Sequence, residues 1–223
     1  MNVFNCNIPD WFMGIDITLE LLFVFVTLAI AFSAYKAYKV IKQREVLLFG
    51  IAFFSMAIGY LQEVIFNSSQ MFGFNSSNLS PLIGPVAHSL NLGFFVGLIH
   101  MAMFILGLSI LVYIILPKRN KKLFGIIAGL AFIGLFTSEN ILLTSFLINS
   151  LMLFALTLHH YQLFLRKKTE SSLFNFIGFG AIFLGQFQLA MATTFSLLYV
   201  ASHITTLFGF ILLLLNLIRV QRK

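Results

Sequence analysis

Residues 14–44 read GIDITLELLFVFVTLAIAFSAYKAYKVIKQR. An apolar run from Leu21 to Ala34 is followed at once by Lys36, Lys39, Lys42 and Arg44, and no basic residue precedes Lys36. That is how a bilayer crossing reads, because hydrocarbon excludes charge and juxtamembrane Lys and Arg hold the cytoplasmic side. The pattern recurs. Lys118, Arg119, Lys121 and Lys122 form a second cluster, Arg166, Lys167 and Lys168 a third, and Arg219, Arg222 and Lys223 a fourth, which accounts for all 14 basic residues. A signal peptide carries its positive charge before the apolar core. Here the charge follows it, so the first segment is read as a retained helix.

Composition agrees. A chain of 223 residues that is 60% hydrophobic and 9% charged lacks the polar surface to cover a soluble globule. The net charge of +7 sits beside the membrane, where it orients the chain and attracts anionic headgroups. It therefore argues against a nucleic-acid partner. Cys6 is the only cysteine, so an intramolecular disulfide and a thiolate metal cage are both excluded.

Seven segments approach the roughly 20 apolar residues a spanning helix needs. They lie near 14–36, 46–67, 91–116, 123–138, 140–165, 173–193 and 195–218. The expected fold is all-α: one seven-helix transmembrane bundle over residues 1–223, multi-pass in the cell membrane, N-terminus outside and C-terminus cytoplasmic. The fourth segment is short, and six crossings are the competing count. An external loop over 68–90 follows the second helix, and Asn67, Asn75 and Asn78 each begin an Asn-x-Ser sequon on that side. An Asn/Ser-rich polar loop reads the same way. The sequence shows no internal repeat and ends just past the last helix, so besides the lipid bilayer the expected contact is a separate cytoplasmic or membrane protein partner.

Helices in lipid associate through small residues that let backbones approach and through polar groups that need partners. Such faces are visible in Ala52, Ser55, Gly59, Gln62 and Glu63; in Gly93, Gly97, His100 and Gly107; in Gly178, Ala181, Gly185, Gln188 and Ala192; and in Ser196, Tyr199, His203 and Thr206. At about 1.5 Å per residue, His100 and His203 lie some 12–13 Å below the external ends of their helices, and Gln186 and Gln188 about 9–12 Å. Glu20 and Glu63 come nearer the rim, with Asp16, His88 and Glu139 at or above it. The expectation is an outer-half polar pocket formed by helices 1, 2, 3, 6 and 7. Its candidate ligand contacts are Glu63, His100 and His203, with Gln188, Gln186 and Glu20 behind them. Interhelical hydrogen bonding is the structural alternative for each, and His159 and His160 read as interfacial.

Two chemistries compete for those residues. His100, His203 and Glu63 make a two-His-one-carboxylate set for zinc, which Gln188 or water would complete. His100 and His203 at matching depth also suit the axial positions of a b-type haem, with Gly93 and Gly97 leaving room for the porphyrin. Retinal is excluded because no Lys lies mid-helix. A transporter would favour broken helices, yet Pro9, Pro81, Pro85 and Pro117 all lie in tails or loops.

Glu63 on the second helix and His203 on the seventh resemble positions in the ceramidase and adiponectin-receptor type of intramembrane metal hydrolases. The chain departs from that type in lacking its paired His motif on the last helix and its intramembrane Asp, Asp10 and Asp16 being the only aspartates. Two other stretches resemble the seven-helix membrane sensor domains of prokaryotic histidine kinases and cyclases. One runs from Ala201 through Ser202, His203, Leu207, Gly209, Phe210 and Leu213 to Arg219 and Lys223; the other from Ala34-Tyr35-Lys36-Ala37-Tyr38 through Gly50, Phe53, Gly59 and Tyr60. The resemblance implies a sensor-like or accessory module, not an enzyme, in which ligand binding shifts helix 7 and is felt at the basic tail.

Overall fold

The computed structural model describes residues 9–71, 92–116, 120–192 and 195–221. The sequons at Asn75 and Asn78, His88 and the surroundings of Gly93 lie outside the described residues. A short 3-10 turn, Asp10–Phe12, leads into α1 (Met13–Ile41), followed by α2 (Arg44–Met71), α3 (Leu92–Ile115), α4 (Lys121–Thr137), α5 (Ile141–Lys167), α6 (Glu170–Met191) and α7 (Ser196–Gln221). Six of the seven helices are long and apolar enough to cross a bilayer, and α4 is shorter. The protein is thus a helical bundle of the integral-membrane type.

Two boundaries differ from the sequence reading by four residues or more. α1 runs on to Ile41 instead of stopping at 36, because its lysines do not end the helix. Lys36, Lys39 and Lys42 fold back over the rings of Phe32, Tyr35 and Tyr38, each four residues earlier, with the ammonium 4.6–5.8 Å from the ring centre. α2 continues to Met71, so the start of the expected 68–90 loop, with Asn67 just before it, is helical.

Turn chemistry at the ends is local. Lys42 and Lys168 take the left-handed conformation, and their N–H groups reach back to the carbonyls of Tyr38 and Phe164 at 2.8 Å, closing α1 and α5. Asn120, Asn140 and Thr169 supply side-chain oxygens to the first free N–H groups of α4, α5 and α6.

The six long helices close into a ring: α1 packs on α2, α2 on α3, α3 on α5, α5 on α6, α6 on α7, and α7 returns to α1. α4 stands outside this ring, against α3 and α5. Its role follows from direction. The starts of α3 and α5 line one cavity, so these two helices run parallel, and α4 must carry the chain back between them. Its 17 residues span about 25 Å, just short of a hydrocarbon core of about 30 Å.

The interior is aromatic and aliphatic, with Phe23, Phe53, Phe104, Leu108, Leu153 and Phe210 almost fully buried. The outside is apolar too. Phe25, Phe54, Leu130, Leu151, Leu184 and Ile204 are exposed on six different helices, as expected where lipid is the solvent. Small residues decide which faces turn inward. A Cβ on Gly209 would lie 2.6 Å from Ile182 Cγ1 and 2.7 Å from the Gly178 carbonyl oxygen, and one on Gly107 2.7 Å from the Ala52 carbonyl oxygen. These backbones touch because no side chain intervenes.

Gly209→Ala should therefore lower stability by about 1–3 kcal/mol, since a backbone oxygen cannot move aside. Gly129→Ala, which meets nothing within 4 Å, should stay within about 0.5 kcal/mol of the parent. Thermal melting of both variants in one detergent checks the contrast.

Candidate functional site

The ring encloses a cavity of about 200 Å³, and all six long helices contribute to its wall. Phe23 comes from α1, Tyr60, Glu63, Phe66 and Asn67 from α2, and His100 and Phe104 from α3. Leu142, Phe146 and Asn149 come from α5, Gln186 and Leu189 from α6, and Tyr199, His203 and Thr206 from α7. The expected pocket of helices 1, 2, 3, 6 and 7 thus gains α5, whose polar contribution is Asn149. The cavity lies at the end of the bundle opposite the basic clusters, since the first turns of α3, α5 and α7 and the last turns of α2 and α6 line it.

Local packing sets each polar group. α2 and α3 approach at Gly59, where an added Cβ would lie 3.2 Å from the His100 carbonyl oxygen. One turn further, Glu63 Oε2 lies 3.2 Å from His100 Nδ1, and the carboxylate is about a third exposed. α6 and α7 approach at Gly185, against which Thr206 Oγ1 packs. Gln186 is thereby turned to the cavity. Rings link the two imidazoles: His203 meets Phe23, Phe23 stacks on Tyr60 with centres 4.8 Å apart, and Tyr60 meets His100 edge to face.

His203 is held on both sides. Its Nδ1 lies 2.9 Å from the Tyr199 carbonyl oxygen, which only accepts, so Nδ1 carries a proton. Its Nε2 lies 3.2 Å from Asp16 Oδ1, close but off the ideal hydrogen-bond direction. Tyr199 donates its hydroxyl to the other Asp16 oxygen at 2.9 Å. With one further proton, on either Nε2 or Oδ1, the pair is neutral overall, which suits its burial. Phe12, buried in the 3-10 turn, covers Tyr199 and His203 edge to face.

Four of the six expected contacts, Glu63, His100, His203 and Gln186, line the cavity; Gln188 and Glu20 do not. Glu20 is fully buried behind the wall, where it accepts a 2.6 Å hydrogen bond from Asn67 Nδ2. That bond gives the first sequon asparagine a helix-to-helix role. Asp16 is the principal residue that sequence reasoning missed. Set at or above the rim by depth, it is 3% exposed because the 3-10 turn extends the bundle past the start of α1. Two i,i+4 pairs carried the signal: Asp16 with Glu20, and Tyr199 with His203. Glu139 is exposed and takes no part.

The zinc set is not gathered. His100 pairs with Glu63 whereas His203 pairs with Asp16, and no group of three or more His, Cys, Asp or Glu among the described residues is placed to hold a metal ion. Both nitrogens of His203 are engaged, so neither is free to ligate zinc or a haem iron. The geometry fits neither group.

Family models, curated proteins and solved structures give no match to this chain. What the cavity can do rests on its own atoms. Its wall offers one partly exposed carboxylate, two imidazoles, the amides Asn67, Asn149 and Gln186, and a majority of aromatic and aliphatic side chains.

Asp16→Asn should keep the contacts with a neutral imidazole, its amide nitrogen donating to Nε2 and its oxygen accepting from Tyr199. Stability should then change by less than about 1 kcal/mol. Asp16→Ala leaves Nε2 and the Tyr199 hydroxyl unpaired and should cost about 1–3 kcal/mol. Melting curves of both variants test the assignment.

Proposed function

We propose that this protein is a sensor-like or accessory module of the cell membrane that binds a small ligand in the six-helix cavity and passes the event along α7 to its basic end. The observation that carries this reading is convergence: every long helix contributes to one cavity, and the polar side chains of five of them meet there. An enzyme reading has less support, because among the described residues no metal set is assembled, and the Ser202 hydroxyl, 3.3 Å from His203 Nδ1, is fully buried and donates to the Tyr199 carbonyl oxygen. The resemblance of the Ala34–Tyr60 and Ala201–Lys223 stretches to prokaryotic sensor domains points the same way.

α7 is suited to transmission. At one end it carries Tyr199, His203 and Thr206 in the cavity wall. At the other, Arg219 pairs with Glu170 of α6, and Gln221 Nε2 donates to the Ser33 carbonyl oxygen of α1 at 2.7 Å. A ligand that displaced His203 or Thr206 would shift a rigid helix against both neighbours, and a partner on the basic side would read the shift. The clusters of Lys and Arg support a cytoplasmic position for that side, with the N-terminus outside.

Two measurements test this. A membrane-impermeant maleimide should label Cys6, the only cysteine, in intact cells and fail to label Cys6→Ser; labelling only after permeabilisation would reverse the orientation. Purified protein should melt higher with at least one member of a panel of small cationic, neutral and anionic aromatic compounds. Val96→Trp, which fills the cavity from α3, should abolish the shift. A panel with no effect on the parent would overturn the binding reading.

A further inference from the structure

The cavity end carries five of the seven acidic residues, Asp10, Asp16, Glu20, Glu63 and Glu139, while every Lys and Arg among the described residues lies at the other end. Three of these carboxyls, Asp16, Glu20 and Glu63, are near enough to act on one another electrostatically. Their partners are unequal. Among the described residues Asp16 has Tyr199 and His203, and Glu20 has Asn67, whereas Glu63 has His100 alone at 3.2 Å and stays partly exposed. Glu63 is the carboxylate a ligand can reach.

A second observation concerns oxygens with nothing to accept from. Asn149 and Gln186 are 3% and 5% exposed, both line the cavity, and among the described residues Asn149 Oδ1 and Gln186 Oε1 find no hydrogen-bond partner. A buried acceptor left unpaired is costly, so the complementary ligand is rich in donors. The third observation is the wall itself. Phe23, Tyr60, Phe66, Phe104, Phe146 and Tyr199 all face the cavity, and aromatic faces attract cations.

From these three observations, and resting on the binding reading above, we infer that the cavity recognises a small organic ammonium. Its charged nitrogen sits at Glu63 and donates to Asn149 and Gln186, and its apolar part lies among the rings. A bare metal ion is disfavoured because the wall is mostly aromatic where such an ion needs several oxygens. An anion would meet the carboxylates. Size sets the scale: an apolar cavity of about 150 Å³ takes benzene, so about 200 Å³ admits a one-ring or short-chain amine.

The test compares benzylamine, benzyl alcohol and benzoate on the purified full chain in neutral detergent at pH 7, read by thermal shift and by isothermal titration. Benzylamine should bind, with benzyl alcohol about tenfold weaker or worse, and benzoate should not bind. Glu63→Gln should erase the preference for amine over alcohol, and Gln186→Leu should weaken benzylamine while leaving benzyl alcohol unchanged. Equal binding of amine and alcohol to the parent, or a preference for benzoate, would overturn the ammonium assignment while the binding reading stands. If none of the three binds and the wider panel is also silent, the binding reading falls with it. If the wider panel binds and benzylamine does not, only the assignment fails.

Discussion

The close approach of His203 to Asp16 joins the two ends of the ring of helices. α1 and α7 are the first and last helices of the chain, and this pair, with the Tyr199 hydroxyl on the second Asp16 oxygen, joins them where the cavity begins. In hydrocarbon neither group could face outward unpaired without a cost of several kcal/mol. Turned inward, the two groups face each other and the Tyr199 hydroxyl instead of lipid. The other polar links, Asn67 to Glu20 between α1 and α2, Glu63 to His100 between α2 and α3, and Asn216 to Asn175 between α6 and α7, follow the same rule.

Small residues make those pairings reachable. Gly59, Gly107, Gly178, Gly185 and Gly209 bring neighbouring helices into backbone contact, and each contact fixes which side chain one turn away faces the interior. The tightest approaches lie between α2 and α3 and between α6 and α7. Bulk is concentrated at the centre, in Phe23, Tyr60, Phe104 and Phe210, which pack edge to face apart from the stacked Phe23–Tyr60 pair and separate the two imidazoles. The cavity lies where the small-residue contacts give way to rings and polar tips.

Much of the site was legible because charge and polarity are scarce in this chain. In a sequence that is 9% charged, a Glu or His inside an apolar run stands out, and Glu63, His100 and His203 did. Gln186 and Gln188 illustrate the limit of face counting. They lie two residues apart, and only the position of Gly185 against Thr206 turns Gln186 inward. Asn149 was passed over because it stands alone in α5 without a stripe of glycines to mark its face. Asp16 was misread because depth was counted from the start of the helix, and the turn bearing Phe12 adds a cover above it.

The amino-acid sequence by itself determined the long apolar helices and the one end of the bundle at which the basic residues gather, since apolar length and the placement of Lys and Arg are properties of local composition. It also marked which polar residues had to face inward. The tertiary structure decided the partners: His203 with Asp16, His100 with Glu63, and Asn149 and Gln186 in one wall. Those pairings depend on helix rotation and contact distances set by backbones meeting at particular glycines, and helices that are apolar on every side carry no periodicity from which such rotations can be read.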